Sequence, residues 1–283
     1  IKCVGLRFRL QAPLTSDKEA LQQIEPYMLV ISLFDAKEGK KLTEDYHWEV
    51  SCDEVNGMIV APEGPSANPL DGLDVPVEWL CNPSQAVFSV SSAHSDVFLV
   101  VRIEKILQGS IAQSSEPYTR TTKDPKLGLK VHKSVQTAAS RLGMYRMPFA
   151  WTARPLFRLY SNEPDTVSDF PGIYRQEPGK LKDEELLKVL SDYRKPDKLN
   201  KLPVIPGWLQ IKVEALNDLP YNCLTASLKA LKPFPFPPTS DPTVEVAELH
   251  PETHPYTSFM NHLYVYPQSL AFDAQKTSAE LGI

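Results

Sequence analysis

The chain has 283 residues, of which 42% are hydrophobic and 23% are charged, so it can fold around a sizeable core. The formal net charge of −5 argues against a protein that grips nucleic acid, because such proteins carry an excess of clustered lysine and arginine. No apolar run reaches the roughly 20 residues that cross a bilayer, and the four cysteines form no CxxC pair, which fits a reducing cytosol.

Proline is unusually frequent, with 26 residues in this chain against an average share of about 5%. Because proline fixes φ and removes a backbone donor, it interrupts helices and favours strand ends and linkers. We therefore expect many short elements joined by prolyl turns.

Apolar periodicity predicts strands in the first third of the chain. The first strand shows the period of two of a half-buried strand, with one face made of Val4, Leu6, Phe8 and Leu10. The nearly continuous apolar run 28–34 predicts a central strand that is buried on both faces. Two more strands are expected at 46–50 and 86–90.

The segment 97–106 gives the strongest strand signal. Val97, Leu99, Val101 and Ile103 share one face, while on the other face apolar residues give way to Arg102 and Glu104. Later strands are predicted at 148–157, 209–215 and 263–266.

Two helices are predicted among these strands. The first covers 127–142, ends near Gly143 and has an apolar stripe made of Val131, Val135, Ala138, Ala139 and Leu142. The second covers 183–193, with Asp183 as a candidate N-cap, and is ended by Pro196.

Together these elements predict a mainly β fold, an antiparallel β-sandwich-like module with two helical insertions and Pro-rich loops. Residues 61–83 and 158–180 are expected to be irregular, and the stretch 232–243 holds five prolines. The expected organisation is a module over 1–231 and a Pro-rich linker over 232–260.

No catalytic or cofactor signature is present: the chain contains no GxGxxG, no P-loop and no GxSxG. His250 and His254 have the spacing of a helical metal pair, but a proline follows each, so a helix is not expected there. We expect no cofactor and no metal.

A cysteine hydrolase using Cys52 or Cys81 with His47 or His94 is the weakest alternative, because free cysteines usually belong to a core.

The Pro-rich segment offers one binding motif. Lys232 precedes Pro235 and Pro238, which have the PxxP spacing that a polyproline II helix presents on one face and that SH3 domains bind. An SH3-ligand adaptor is therefore an alternative function, beside a stiff linker.

Three long segments then resemble the DOCK (dedicator of cytokinesis) family. They are SDVFLVVRIEKILQG at 95–109, which leads into Glu116-Pro117-Tyr118, RLGMYRMPFAW at 141–151 and NHLYVYP at 261–267. Ile24-Glu25-Pro26-Tyr27 also fits, and the sequences at 154–157 and 194–196 resemble those of the zizimin-like branch of the family.

The resemblance implies guanine-nucleotide exchange factors that activate Rho-family GTPases through a homology region near their C-terminus, which this chain does not contain. A lipid-binding sandwich domain would begin near Leu263, so 261–283 is expected to be its truncated start. The sequence departs from the family pattern after residue 276, which argues against phosphoinositide binding by this chain.

The sequence thus predicts a non-catalytic structural and interaction fragment of a DOCK-like exchange factor. The expected partners are other domains of the same factor and an SH3 protein, with Rho-family GTPases reached only through the missing region and no nucleic acid. The expected location is the cytoplasm, with membrane recruitment through the full-length protein.

Overall fold

The computed structural model describes residues 1–11, 21–50, 55, 58, 85–121, 126–143, 145–179, 181–193, 195–218, 223–224 and 244–247. The strands are β1 (Lys2–Arg9), β2 (Leu21–Gln22), β3 (Tyr27–Asp35), β4 (Lys40–Lys41), β5 (Tyr46–Glu49), β6 (Ala86–Phe88), β7 (Val97–Ile106), β8 (Arg146–Pro155), β9 (Tyr174–Arg175), β10 (Gly207–Lys212), β11 (Cys223–Leu224) and β12 (Val244–Ala247). The helices are α1 (Ile111–Thr119), α2 (Leu127–Leu142), α3 (Asp183–Ser191) and the single turn α4 (Pro196–Leu199). The predicted mainly β fold is confirmed.

The large sheet has six strands in the order β4-β3-β7-β8-β9, with β5 also paired to β3. Strand β3 is antiparallel to β7 along its whole length, from the pair Tyr27 and Lys105 to the pair Asp35 and Val97. All nine residues of β3 are buried, as expected for a strand with neighbours on both sides and layers on both faces. The central strand predicted from the run 28–34 is therefore confirmed.

A small antiparallel sheet, in the order β10-β1-β2, covers one face of the large sheet, which we call the inner face. Leu6, Phe8 and Leu209 from the small sheet join the apolar inner-face residues of β3 and β7 in one core. The Phe8 ring lies 4.9 Å from the Tyr27 ring and 5.6 Å from the Phe149 ring, centroid to centroid. Two antiparallel sheets packed face to face form the predicted sandwich.

The predicted orientation of one residue in the first strand is wrong. Val4 is 43% exposed, whereas Cys3 is buried. The pairing of β1 with β10 passes from Cys3 to Gly5 and skips Val4, so a β-bulge reverses the alternation at this point. Leu6, beyond the bulge, keeps the predicted orientation and is 1% exposed.

The opposite, outer face of the large sheet is covered in part by α3. Leu186 and Leu190 of this helix pack with Phe98, Val100 and Trp151. The inner-face residues of β7 belong to the sandwich core instead, so the two predicted faces of this strand contribute to two separate cores.

Helix α2 matches its predicted range. Val135 and Ala139 are buried and the other residues of the predicted stripe are half-buried. Gly143 follows the helix, but its φ of −56° is right-handed, so no left-handed glycine closes this end.

Helix α3 begins with Asp183 in its first turn, so the predicted N-cap is displaced by one position to Lys182. The Glu185 carboxylate accepts a hydrogen bond from the Lys182 backbone N–H at 3.2 Å. A shift of one residue lies within the usual variation of helix ends.

Helix α1 was not predicted from the sequence. Its buried residues are Ser114, Ser115 and Tyr118, so it lacks an apolar stripe, and Pro117 lies inside it. Tertiary contacts hold it: the carbonyl of Pro117 accepts from the Gln11 N–H at 2.8 Å, and that of Tyr118 from Gln11 Nε2 at 3.0 Å. The count of two helical insertions was therefore too low.

A third sheet runs in the order β11-β12-β6 with parallel pairing. The predicted strand at 263–266, the loop 61–83 and the linker 232–260 (apart from β12) lie outside the described residues. Within the described part of the chain, none of the helices combines the length and hydropathy needed to cross a membrane.

Candidate functional site

A buried ion pair lies where β7 leaves the core. Glu25, just before β3, is 2% exposed, and Lys105, near the end of β7, is 1% exposed. Their side chains form a salt bridge. Lys105 Nζ also lies 5.1 Å from the centre of the Phe149 ring. Charged side chains are rarely buried unless they are paired, so the burial of Glu25 depends on Lys105 and the burial of Lys105 depends on Glu25.

Two tyrosine hydroxyl groups complete this network. Tyr27 donates to Glu25 Oε1 at 3.0 Å, and Tyr118 of α1 donates to the same oxygen. The two hydroxyl oxygens are 2.9 Å apart. Burial raises the pKa of both tyrosines well above the ordinary value, and the nearby charge of Glu25 raises the pKa further. Both phenols are therefore neutral and donate to the buried Glu25 carboxylate.

The network has a sequence signal that periodicity does not reveal. Tyr27 and Tyr118 are the third residues of two Glu-Pro-Tyr triplets, at 25–27 and 116–118. Both triplets belong to segments that resemble the DOCK family, and the fold brings their tyrosines into contact. The repetition of this triplet within the chain was the signal that could have identified the site. Strand periodicity could not have done so, because neither triplet lies in an alternating pattern.

Hydrogen bonds continue the network outward to helix α2. Lys105 Nζ donates to Gln108 Oε1 at 3.1 Å, and Gln108 Nε2 donates to Ser134 Oγ at 3.0 Å. A buried carboxylate is thus connected to an exposed serine through two intervening side chains. The end of β7 is held in place as well, since the Leu107 N–H donates to the Tyr145 carbonyl at 2.9 Å.

The turn between β7 and α1 depends on Gly109. Its φ of +61° lies in the left-handed region, where residues with a side chain are strained. The next residue, Ser110, begins α1 with a capping box, in which Ser110 Oγ accepts from the Gln113 N–H and Gln113 Oε1 accepts from the Ser110 N–H, both at 3.3 Å. This turn directs the chain over the ion pair and forms one wall of a cleft.

The cleft, which we call the α2 cleft, has an inner and an outer part. The inner part is a cavity of about 330 Å³, whose lining includes the ion pair, Gln113 and Ser114. The outer part is a groove of about 810 Å³ along α2, lined by Leu107, Gln108, Gly109, Lys130, Lys133, Ser134, Thr137, Ala138, Arg141 and Leu142. Gln108, Gly109, Lys130 and Ser134 line both parts, so the two parts are continuous. Among the residues that the structure describes, the lining of the groove includes three cationic side chains and no carboxylate.

A second ionic cluster lies on the outer face of β7. Arg102 pairs with Asp183 of α3 and lies 3.7 Å from Asp45, while Lys41 Nζ lies 2.7 Å from the same aspartate. Partial burial alone would raise the pKa of Asp45, but the hydrogen bond from Lys41 and the charges of Lys41 and Arg102 outweigh burial and lower it. The Asp183 side chain is 41% exposed, so this cluster is in contact with solvent.

Among the buried charged residues, Glu25 and Lys105 are paired with each other, whereas Arg154 donates to the backbone carbonyls of Pro155 and Asp165. Among the residues that the structure describes, no group of three or more histidine, cysteine, aspartate or glutamate side chains could hold a metal ion.

The residues singled out from the sequence are mostly not described. Lys232, Pro235 and Pro238 of the SH3-ligand motif, together with Cys52, Cys81, His250 and His254, lie outside the described residues, and the motif stays a prediction. His47 is exposed on β5, and His94 Nε2 lies 3.2 Å from Asp35 Oδ2.

Comparison with curated proteins identifies relatives over nearly the whole chain. Dedicator of cytokinesis protein 9 is 41% identical over 294 residues in Mus musculus and 39% identical over 295 residues in Homo sapiens. Dedicator of cytokinesis protein 11 of Danio rerio is 36% identical over 299 residues. The alignments cover 98–99% of this chain but only 14% of the length of each of these relatives.

No family model matches the chain, and no solved structure matches it significantly. The curated relatives carry the assignment, because their identities of 36–41% extend from one end of the chain to the other. The family predicted from the sequence is confirmed, and this chain belongs to the dedicator of cytokinesis (DOCK) family.

Proposed function

We propose that this chain is a non-catalytic structural and partner-binding part of a guanine-nucleotide exchange factor for Rho-family GTPases. The observation that carries the proposal is the continuous match with dedicator of cytokinesis proteins over 98–99% of the chain. Exchange activity and the GTPase partners belong, in this proposal, to the whole protein and not to the segment described above.

The fold supports a role in packing and binding. The inner face of the large sheet is covered by a second sheet, and the buried Glu25 and Lys105 are paired with each other. One concave feature of the described residues, the α2 cleft, is lined largely by lysine, arginine, glutamine and serine side chains, which can bind charged and polar groups. In the proposed organisation, 1–231 is this module, 232–260 links it to the next domain and contributes β12 to the third sheet, and 261–283 begins a lipid-binding sandwich.

A nucleotide-exchange assay tests the proposal directly. The purified chain is added to Rac-type and cell-division-control-type GTPases loaded with a fluorescent guanine nucleotide, with the full-length mouse dedicator of cytokinesis protein 9 as the active comparison. We expect the full-length protein to accelerate nucleotide release and the chain to leave the intrinsic rate unchanged. Acceleration by the chain alone would overturn the non-catalytic assignment.

A binding assay tests the structural half of the proposal. The chain is immobilised and exposed in turn to the other segments of mouse dedicator of cytokinesis protein 9, and binding is followed by surface plasmon resonance. We expect at least one neighbouring segment to bind. If every segment fails to bind, the chain does not serve as an internal brace.

A further inference from the structure

We propose that the outer groove of the α2 cleft binds an extended, acidic peptide segment of a partner protein, with leucine-like side chains alternating with its carboxylates. This inference rests on the proposed partner-binding function and specifies the chemistry of the partner.

The three cationic residues of α2 and Lys126, which directly precedes it, lie on one side of the helix. Lys126, Lys130, Lys133 and Arg141 occupy positions that differ by 4, 7 and 15 from the first, and at 100° per residue they fall within an arc of roughly 80°. From Lys130 to Arg141 the stripe extends for about 16 Å along the helix axis. An extended peptide covers that distance with about five residues.

The charge of this segment is opposite to that of the chain. Between positions 126 and 146 there are five lysine or arginine residues and no aspartate or glutamate, although the whole chain has a net charge of −5. Lys133 and Arg141 are exposed beside the groove and lie in its lining. An anionic ligand is therefore attracted to this face and repelled by much of the remaining surface.

The shape of the site favours a peptide over a membrane surface. The cations line a groove, whereas a bilayer makes contact with a convex or flat face. Val135 and Ala139 of α2 are buried against the core, whereas Leu129 is 66% exposed, so this helix presents one exposed leucine and not the continuous apolar face with which an amphipathic helix enters a membrane. Leu107, which is 39% exposed, lies across the groove from the cationic stripe. In an extended chain, alternate side chains point in opposite directions, so carboxylates can face α2 while leucine side chains face Leu107.

Two residues that line the groove are already ordered by hydrogen bonds. Gln108 and Ser134 are hydrogen-bonded to each other, and Gln108 is bonded to the buried Lys105. Side chains that are ordered before binding lose less conformational entropy when a ligand binds.

Fluorescence polarisation with a labelled synthetic peptide of alternating glutamate and leucine tests the inference on the full chain. We expect binding that weakens as salt is added, because exposed charge pairs are screened. The double variant Lys133→Glu with Arg141→Glu should weaken binding by roughly tenfold or more. The neutral variant Lys133→Gln with Arg141→Gln should show an intermediate loss, and circular dichroism of both variants checks that they fold.

Matched controls separate the groove from general attraction of charge. Lys188→Glu with Lys201→Glu makes the same charge change at exposed positions elsewhere and should leave the peptide affinity unchanged. A peptide in which serine replaces leucine should bind more weakly than the original, and Leu107→Ala should remove that difference. Equal losses in both double variants would overturn the assignment to the groove.

Vesicles of phosphatidylcholine with phosphatidylserine form the second arm. Binding to vesicles that is lost in the Lys133→Glu, Arg141→Glu variant, without peptide binding, would overturn the inference in favour of a membrane surface. If the peptide does not bind and the chain also leaves the rate of nucleotide release unchanged, only this inference is overturned. Acceleration of nucleotide exchange would instead remove the proposed function, whatever the peptide does.

Discussion

Strand β7 presents a cation to each face of the large sheet, and the two are paired in different ways. Lys105 faces the sandwich core, where it meets Glu25 with both partners at most 3% exposed. Arg102 faces α3, where its partner Asp183 is 41% exposed. A charge that loses its partner is stabilised by solvent water at Asp183, whereas at Glu25 it keeps only the hydrogen bonds from two buried tyrosines. Two ion pairs only three residues apart should therefore differ severalfold in their importance for stability.

The largest effect is expected at Lys105. Replacing it in Lys105→Met leaves the Glu25 carboxylate buried without a cation, which should lower the free energy of unfolding by about 3–5 kcal/mol. Guanidinium-induced unfolding measures this change. Lys188→Met, on the exposed side of α3, is the matched control and should stay within about 0.5 kcal/mol of the parent chain.

The double variant Glu25→Gln with Lys105→Met sharpens this test. It removes both charges, so we expect it to be more stable than the sum of the two single losses indicates. Additive losses would contradict a coupled pair.

Alkaline pH should act on the same cluster through its tyrosines. In the unfolded chain Tyr27 and Tyr118 lose their protons near pH 10, while in the folded chain their raised pKa keeps them neutral. The stability they contribute is therefore complete below about pH 10 and is lost as pH rises toward the folded pKa, by about 1.4 kcal/mol per tyrosine and pH unit. Unfolding midpoints at increasing pH measure this slope. The slope should become shallower in Tyr27→Phe with Tyr118→Phe, and an unchanged slope would refute the assignment.

Removing one hydroxyl group from the buried network should have a smaller effect. Tyr118→Phe deletes one of the two phenol donors to Glu25 Oε1 and should lower the free energy of unfolding by about 1–3 kcal/mol. Tyr145→Phe removes a hydroxyl group from a residue that is 62% exposed and is the control. Denaturant unfolding of the two variants in parallel gives the difference, and equal stabilities would show that the hydrogen bond contributes nothing.

The smallest effect is expected on the outer face of β7. Asp183→Asn breaks the contact with Arg102, but water reaches the site, so we expect a loss of about 0–1 kcal/mol that shrinks further in high salt. Glu184→Gln, an exposed acid in the same helical turn, is the comparison. If Asp183→Asn destabilises the protein as much as Lys105→Met does, the contrast between the two faces of β7 is wrong.

The sequence was a good guide wherever one face of an element is apolar. Alternation in β7 predicted both of its faces, and the run 28–34 predicted a strand enclosed on both sides. It failed at Val4, because a bulge adds one residue and reverses the side-chain direction, and the register with β10 is a property of two strands together. It failed for α1, whose polar sequence is held by hydrogen bonds to Gln11, more than a hundred positions away.

The candidate site was predictable only in its components. The two Glu-Pro-Tyr triplets and the basic segment 126–146 are visible in the sequence. Their combination required the tertiary structure, because it joins a loop before β3, the end of β7 and two helices.

By itself, the sequence determined the mainly β class, the helices α2 and α3 and membership of the DOCK family. It could do so because hydrophobic periodicity and sequence motifs are properties of contiguous residues. Only the tertiary structure decided that Glu25 and Lys105 share a buried site with two tyrosines, and that Lys133 and Arg141 stand beside a groove. Burial of a charge depends on which distant segments exclude water from it, and no contiguous stretch of the chain carries that information.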